Sequence, residues 1–168
     1  MKALSLPDGI AVIAAHGVHG PAIAALHKLC FDEAWSIFTV RQVLAMPGAF
    51  GLLAVEEGVV GTGGLGGGDL LGFALGRSAA GECELLSLAV TTGERGRGIG
   101  SALLAAAIDR ARRDQVSRLF LEVAEDNVVA LRLYRNFSFR PVGRRPRYYR
   151  RPQGVALAAL TYSLSLED

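Results

Sequence analysis

The sequence predicts one α/β domain, spanning residues 1–168, in which helices cover both faces of a mixed, mostly antiparallel sheet. A chain of 168 residues has the usual length of a single domain and can bury a substantial core. Hydrophobic residues make up 51% and charged residues 20%, a composition that argues against intrinsic disorder. Strand-like and helix-like segments follow one another in the order β, α, α, β, β, β, α, β, α, β, β.

Apolar periodicity and turn residues place the individual elements. Pro21 lies in the first turn of the first helix, Ser36 can cap the second, and Pro47-Gly48 ends that helix. Strands are predicted at residues 10–15, 50–55, 70–75, 85–90, 119–123 and 155–166, with one more strand before the last of these. Helices are predicted at residues 21–30, 36–46 and 101–112, and a fourth helix is predicted to begin after Asn127.

The most informative segment joins an apolar strand to a helix through a glycine-rich turn. Residues 85–90 are strand-like, and the helix runs from Ser101 to Arg112. Residues 95–100 between them read Arg-Gly-Arg-Gly-Ile-Gly. A helix start exposes unpaired backbone N–H groups at the positive end of the helix dipole, and glycines admit a bulky anion because they lack a Cβ. The segment is therefore predicted to bind a ligand that carries phosphate.

Three types of phosphate-binding loop compete for this segment. A P-loop requires a lysine at the position of Ile99, and the dinucleotide fingerprint G-x-G-x-x-G is interrupted at Ser101. The pattern R/Q-x-x-G-x-G/A, in which successive amides wrap a pyrophosphate, fits Arg95, Gly98 and Gly100. This pattern is the coenzyme A signature of the GCN5-related N-acetyltransferases (GNAT), and the chain resembles that superfamily.

The resemblance extends over roughly half of the chain, from about residue 82 to residue 150. Residues 121–123, Leu-Glu-Val, and the segment 127–139 are similar to the family's L-E-V…N-x-x-A-x-x-L-Y-x-x-x-G-F block. Residues 144–151, R-R-P-R-Y-Y-R-R, resemble the R-x-x-Y-Y stretch of one branch, the ribosomal-protein-alanine N-acetyltransferases. These motifs are specific in combination.

Other parts of the chain are less similar to the family. The N-terminal third resembles it only loosely, through residues such as His27, Phe31 and Trp35. Ser138 stands where the family usually has a glycine, which can alter a turn. Ala34 stands where a proline often precedes the tryptophan, which can alter the loop on the acceptor side.

The resemblance implies acetyl-CoA as the cofactor. The amides of residues 95–100 would hold the pyrophosphate, and the strand residues 88–90 would present backbone groups to the pantetheine arm, one of them as an oxyanion donor. Asn127 is expected to cap its helix, and the equivalent asparagine in the family also contacts the cofactor. The residues implied in cofactor binding are Leu88, Ala89, Val90, Arg95, Gly96, Arg97, Gly98, Ile99, Gly100, Ser101, Asn127 and Tyr134.

Glu122 and Tyr134 are the candidate catalytic residues. The resemblance assigns Glu122, the glutamate of L-E-V, to deprotonation of the amine, and Tyr134, the tyrosine of L-Y, to protonation of the departing sulfur. A charge without a function is costly on an otherwise hydrophobic strand. Two alternatives stay open for Glu122, which are a solvent-facing side chain and a pair with an arginine. Glu82 and Glu84 are rival bases, and Tyr134 can instead be a core aromatic of an amphipathic helix.

The expected reaction is direct attack of an amine on the acetyl group in a ternary complex. The branch resemblance implies the N-terminal α-amine of a protein as the acceptor, with ribosomal proteins as candidates and a small first residue, alanine above all. An α-amine has an unperturbed pKa near ~8 and a lysine near ~10.4, so an α-amine needs less help from a base. Two other interpretations stay open: an acetyltransferase for a small-molecule amine or a lysine side chain, and a non-catalytic relative that binds acyl-CoA.

Composition indicates no metal, membrane or nucleic-acid partner. All three histidines precede residue 28 without the spacing of metal ligands, and Cys30 and Cys83 form neither a disulfide framework nor a zinc site. No apolar run approaches the ~18 residues of a membrane helix, and Pro7-Asp8-Gly9 interrupts the N-terminal apolar residues. We therefore expect a cytoplasmic protein, and the oligomeric state stays open.

Two segments have no assigned role. Residues 61–68 contain a literal G-x-G-x-x-G, but a strand rather than a helix follows, which favours a flexible loop over a cofactor site. The arginine-rich residues 140–151 contain no acidic side chain. They are either a solvated basic face or a surface that attracts an acidic partner, without the motifs of a nucleic-acid-binding protein.

Overall fold

The computed structural model describes residues 7–58, 70–150 and 154–167, apart from the side chain of Arg150. Within these ranges the strands are β1 (Ile10–Ala14), β2 (Ala49–Glu56), β3 (Leu70–Ala79), β4 (Glu82–Val90), β5 (Arg118–Ala124), β6 (Arg140–Arg150) and β7 (Ala156–Ser165). The helices are α1 (Gly20–Cys30), α2 (Ile37–Ala45), α3 (Ile99–Arg113) and α4 (Val128–Asn136). The predicted order of elements is confirmed, and the loop predicted at residues 61–68 lies outside the described residues.

The seven strands form one sheet in the order β1-β2-β3-β4-β5-β7-β6. β4 and β5 are parallel, whereas the other neighbouring pairs are antiparallel. α3 lies in the crossover that a parallel pair requires. The prediction of a mixed, mostly antiparallel sheet is therefore confirmed.

Helices cover both faces of the sheet, as predicted. One face packs against α1 and α2, and Ile23, Leu53 and Phe73 are fully buried there. The other face packs against α3 and α4 and buries Leu103 and Tyr162. The central strands are therefore buried on both faces.

The predicted helix caps are present. The Thr39 amide donates to the Ser36 hydroxyl at 3.1 Å at the start of α2. The Ala130 amide donates to the Asn127 side chain at 3.1 Å at the start of α4. Each bond satisfies one of the amides that a helix start leaves unpaired.

The hairpin between β3 and β4 is longer than predicted. β3 continues to Ala79 and pairs there with Glu82, beyond the predicted end at residue 75. Ala80 and Gly81 form the turn with φ angles of 51° and 81°. Two-residue turns of this kind usually have Asn, Asp or Gly followed by Gly, because both positions have positive φ. Here only Gly81 fits that pattern, since alanine rarely adopts positive φ.

β4 and β5 separate before either strand ends. Their parallel pairing covers only Glu82–Leu85 and Arg118–Leu121. β4 then carries a bulge at Leu86 in its pairing with β3. The remainder of β4, up to Val90, is paired with β3 and not with β5. A gap therefore opens between the carboxyl ends of the two parallel strands.

Candidate active site

The loop between β4 and α3 has the backbone geometry of an anion-binding turn. Gly96 and Gly98 adopt φ angles of 82° and 85°, which residues with a Cβ rarely adopt. Gly98 is the N-cap of α3. Among the described residues, no backbone carbonyl accepts a hydrogen bond from the amides of residues 96–101. These amides lie at the positive end of the helix dipole and are available to an anion.

Arg95, the first residue of the signature, directs its side chain to the protein. Its Nε donates to the Val90 carbonyl at 3.1 Å, and its Nη2 lies 3.9 Å from the Sγ of Cys30. Cys30 Sγ lies 3.7 Å from the same carbonyl. Arg97 forms an ion pair with Glu94 within the loop. The side chain of Arg95 therefore fixes the loop to β4, and the backbone is what the loop offers to a phosphate.

Leu88 and Val90 direct their backbone groups into the gap. The Thr91 amide donates to the Leu71 carbonyl of β3 at 2.9 Å, and successive residues of a strand point their backbone groups to opposite sides. Leu88 and Val90 therefore face away from β3, whereas Ala89 faces it. Of the three strand residues in the predicted cofactor site, Leu88 and Val90 offer amides to the gap.

Both ends of α4 hold Tyr134 in position. The cap at Asn127 fixes the start of the helix. At its end, the Phe139 amide donates to the Tyr134 carbonyl and the Ser138 amide to the Arg135 carbonyl, both at 3.0 Å, which is a Schellman motif. The Phe139 and Tyr134 rings pack with centroids 5.8 Å apart. Ser138, in place of the family's glycine, has a φ of 67°, so the expected turn is present with a less suitable residue.

The Tyr134 hydroxyl stays protonated over a wide pH range. Only 7% of the residue is exposed. Burial, and secondly the neighbouring Tyr149, raise the pKa of Tyr134 to about 12. Burial also raises the pKa of Tyr149, with smaller contributions from Glu122, Tyr148 and Glu33. Tyr149 therefore lies within electrostatic reach of both candidate catalytic residues.

Glu122 lies on β5 and faces away from the core formed with α3 and α4. Its neighbours Leu121 and Val123 are buried in that core on the opposite face. The Glu122 side chain is 21% exposed, and its Oε1 lies 3.0 Å from the Nε of Arg145 on β6. The arginine pair that the sequence leaves open as an alternative is therefore present.

The rival bases lie farther from the gap. Glu82 and Glu84 belong to the part of β4 that is still paired with β5, opposite Arg118 and Phe120, and both are exposed. Glu122 comes directly after the last paired residue of β5. Its position at the edge of the gap favours Glu122 over both rivals.

The segment between α1 and α2 is fixed by a buried histidine. His27 is 3% exposed, and its Nδ1 accepts a hydrogen bond from the Trp35 amide at 3.1 Å. The two rings stack with centroids 5.0 Å apart. Burial lowers the pKa of His27, which keeps its ring neutral and able to accept that bond at neutral pH. Glu33, in the same segment, lies within electrostatic reach of Tyr149.

Arg145 and Tyr149 are site-lining residues that sequence reasoning did not identify. Both residues belong to the R-x-x-Y-Y stretch. That motif was recognised in the sequence, but it did not indicate what either residue does. The register of β6 shifts between these two residues, and Arg147 between them has a φ of 55°. Strand alternation therefore cannot predict which of their side chains share a face.

Other features of the described residues can be stated briefly. They contain no group of three or more His, Cys, Asp or Glu side chains that could hold a metal ion. No helix in these ranges combines the length and the apolar character needed to cross a membrane. Cys30 and Cys83 are free thiols.

The fold and the site share two features with a known class of protein. The sheet is split between two parallel strands, and a loop with unpaired backbone amides lies at the split. The acetyltransferase (GNAT) family matches residues 20–139, and the chain belongs to this family. The resemblance inferred from the sequence is confirmed.

Two curated relatives each match about half of the chain. The chain is 46% identical over 88 residues to the N-alpha-acetyltransferase RimI of Mycobacterium tuberculosis, and the match covers 50% of this chain and 54% of that protein. It is 31% identical over 98 residues to the ribosomal protein bS18-alanine N-acetyltransferase of Haemophilus ducreyi, which covers 58% of this chain and 68% of that protein. The chain thus spans about half the length of the first relative.

One solved structure has the same fold over nearly the whole chain. The ribosomal-protein-S18-alanine N-acetyltransferase from Escherichia coli superimposes with a TM-score of 0.83 over 95% of both chains. The sequence identity is 22%, so this similarity concerns the fold.

Proposed function

We propose that this chain transfers an acetyl group from acetyl-CoA to the N-terminal α-amine of a protein. The observation that carries the proposal is the gap between β4 and β5, with unpaired loop amides at one end, Glu122 at its edge and Tyr134 on the adjacent α4. Relatives named for acetylation of N-terminal amines and of ribosomal protein bS18 support it. A ribosomal acceptor would place the reaction in the cytoplasm, with residues 1–168 acting as one domain.

The residues around the loop fit the phosphate and pantetheine parts of acetyl-CoA. The amides of residues 96–101 would hold the pyrophosphate, with Ile99 buried in the core as an anchor for the loop. A Cβ at Gly100 would lie 3.6 Å from Leu133 and 3.7 Å from Val90, so this position borders the space between β4 and α4. The Leu88 and Val90 amides would bind the pantetheine arm, and Asn127 lies at the start of α4.

Acetyl-CoA supplies a thioester whose carbonyl carbon forms a bond to the amine nitrogen while its bond to sulfur breaks. One of the two strand amides would donate to the carbonyl oxygen and stabilise the negative charge that develops there. Tyr134 would donate its hydroxyl proton to the departing sulfur. The pKa of about 12 keeps that proton in place at neutral pH, and solvent restores it after each turnover.

Glu122 would accept the proton that the amine loses, directly or through a water molecule. It is the carboxylate at the edge of the gap and is partly open to solvent. An α-amine with a pKa near ~8 is already partly neutral at pH 7.5, so a single carboxylate is sufficient help. A lysine side chain with a pKa near ~10.4 would need a much stronger base.

A panel of acceptors tests the proposal. Short peptides that differ only in their first residue are assayed with acetyl-CoA, together with a peptide that is blocked at its N-terminus and contains one lysine, and with spermidine. We expect the fastest transfer to free N-termini that begin with alanine or another small residue. Faster transfer to the blocked peptide or to spermidine would replace this proposal with a lysine or small-amine acetyltransferase. Binding of acetyl-CoA without transfer to any acceptor would indicate a non-catalytic relative.

A further inference from the structure

We propose that Arg145 is a positioning residue that holds the Glu122 carboxylate at the edge of the gap. The inference rests on the proposed function, because it assigns Arg145 a part in amine deprotonation through Glu122. The two residues are distant in the sequence and lie on different strands. Glu122 belongs to β5 and Arg145 to β6, and β7 lies between these strands in the sheet. The contact exists only in the folded sheet.

The sheet register explains how the two side chains meet. Arg145 pairs with Ala159 of β7, and Ala159 pairs on its other side with Ala124 of β5. Directly opposite residues share a face, so Arg145, Ala159 and Ala124 share one. Glu122 lies two positions before Ala124 on β5 and therefore points to the same face as Arg145. Two strand spacings amount to about 9.5 Å, a distance that the extended side chains of Arg145 and Glu122 can bridge together across β7, where Ala159 and Thr161 share their face. The Nε–Oε1 distance of 3.0 Å shows that it does so.

The guanidinium of Arg145 has a second contact, with an aromatic ring. The Cζ of Arg145 lies 5.7 Å from the centroid of the Tyr148 ring, within the range of a cation–π interaction. Tyr148 packs edge-on against Tyr149 at 5.0 Å, and Tyr149 contributes to the raised pKa of Tyr134. Arg145 thus contacts the candidate base and also a pair of tyrosines, one of which, Tyr149, lies within electrostatic reach of the candidate acid.

The adjacent residue offers a matched control. Arg144 pairs with Glu125 at 2.9 Å on the opposite face of the sheet, where Arg144 lies beside Leu160. One ion pair joins β6 to Glu122 within β5 and the other joins β6 to Glu125 directly after β5, and both arginines are more than half exposed, at 57% and 63%. Loss of either pair removes a similar amount of surface electrostatics, so a general structural effect would be the same for both.

Five variants measured with the best peptide acceptor test the inference. Glu122→Gln should lower kcat by about 10²-fold, the usual contribution of a general base. Arg145→Gln should lower kcat by about 10-fold through misplacement of the carboxylate, with the KM for the peptide unchanged, and Arg145→Lys should recover part of that loss. Arg144→Gln should leave kcat unchanged. The double variant at 122 and 145 should be no slower than Glu122→Gln, because Arg145 acts only through that carboxylate.

Several outcomes would overturn the positioning role while the proposed function stands. These are an unchanged kcat in Arg145→Gln, an equal loss in Arg144→Gln, a further loss in the double variant, or a raised KM with unchanged kcat, which would make Arg145 an acceptor contact. Absence of transfer by the wild-type protein to every peptide would instead overturn the proposed function, and the role of Arg145 with it.

Discussion

Tyr134 combines the surroundings of a core residue with the chemistry expected of a general acid. Its ring belongs to the buried cluster that also contains Leu131 and Phe139. Burial disfavours the phenolate, and the pKa of about 12 follows from it. The core-aromatic interpretation and the acid interpretation are therefore compatible, because the packing that buries the ring also keeps its proton. A kinetic experiment can show whether the buried hydroxyl also acts as the acid.

Tyr134→Phe tests the acid, since it removes the hydroxyl and keeps the ring. We expect kcat to fall by about 10²-fold with little change in acetyl-CoA binding. Tyr162→Phe is the matched control: Tyr162 is also buried, and its hydroxyl accepts a bond from Arg135 at 3.4 Å. That control should keep near-normal kcat. Equal activity of both variants would remove Tyr134 from the mechanism.

The wild-type pH profile provides a separate prediction for the same residue. A phenol is the protonated, donating form below its pKa, so Tyr134 with a pKa of about 12 remains a competent acid throughout the assay range. The rate should rise as the acceptor amine loses its proton near pH ~8. It should then stay level up to pH 10. A decline of kcat between pH 8 and pH 10 that disappears in Tyr134→Phe would contradict the raised pKa.

The ends of the helices show how local sequence and geometry can disagree. α4 ends in a Schellman motif whose left-handed position holds Ser138, and α3 ends in the same way with Gln115 at a φ of 56°. Both positions are commonly glycine because a Cβ is strained at positive φ. The two helices therefore keep their ends at some cost in conformational energy.

Replacing these residues with glycine should stabilise the protein. We expect Ser138→Gly and Gln115→Gly each to raise the free energy of unfolding by about 0.5–1 kcal/mol, the strain relieved less the added freedom of the unfolded chain. Chemical denaturation measures the change. Gly96 is a glycine that already lies at positive φ, so the reverse substitution can be tested there. Gly96→Ala should lower the free energy of unfolding, because it places a Cβ at that strained conformation. Stabilisation at Gln115 alone would mean that Ser138 makes a compensating contact.

Local signals in the sequence account for most elements and for the loop, but not for the contacts between strands. The caps at Ser36 and Asn127 were predictable because a cap depends on three consecutive residues beyond it. The bulge at Leu86 and the pairing of Glu122 with Arg145 were not, because both depend on the register of neighbouring strands. The candidate base could thus be named from its motif, whereas its partner could be found only in the folded sheet.

At the scale of the whole molecule, the sheet consists of two parts with a narrow connection. β1 to β4 form one antiparallel part, and β5, β7 and β6 form the other. Among the strands that the structure describes, only the pairing of Glu82–Leu85 with Arg118–Leu121 joins them, and α3 and α4 pack across one face. A ligand in the gap would contact β4 from one part and α4 from the other. Its binding should therefore stabilise the native state as a whole.

Thermal denaturation with and without acetyl-CoA tests this expectation. A ligand that binds only the native state adds RT ln(1 + [L]/Kd), which is about 2.7 kcal/mol at a hundredfold excess over Kd, and ATP and NADH should add little. Gly100→Val should abolish the shift, because its side chain would project between Val90 and Leu133. Gly100→Ala should retain much of it, since a methyl group makes only ordinary contacts there. Gly17→Val, at a position where an added Cβ meets no other atom within 4 Å, should leave the shift intact. An undiminished shift in folded Gly100→Val would place the pyrophosphate away from the β4–α3 loop.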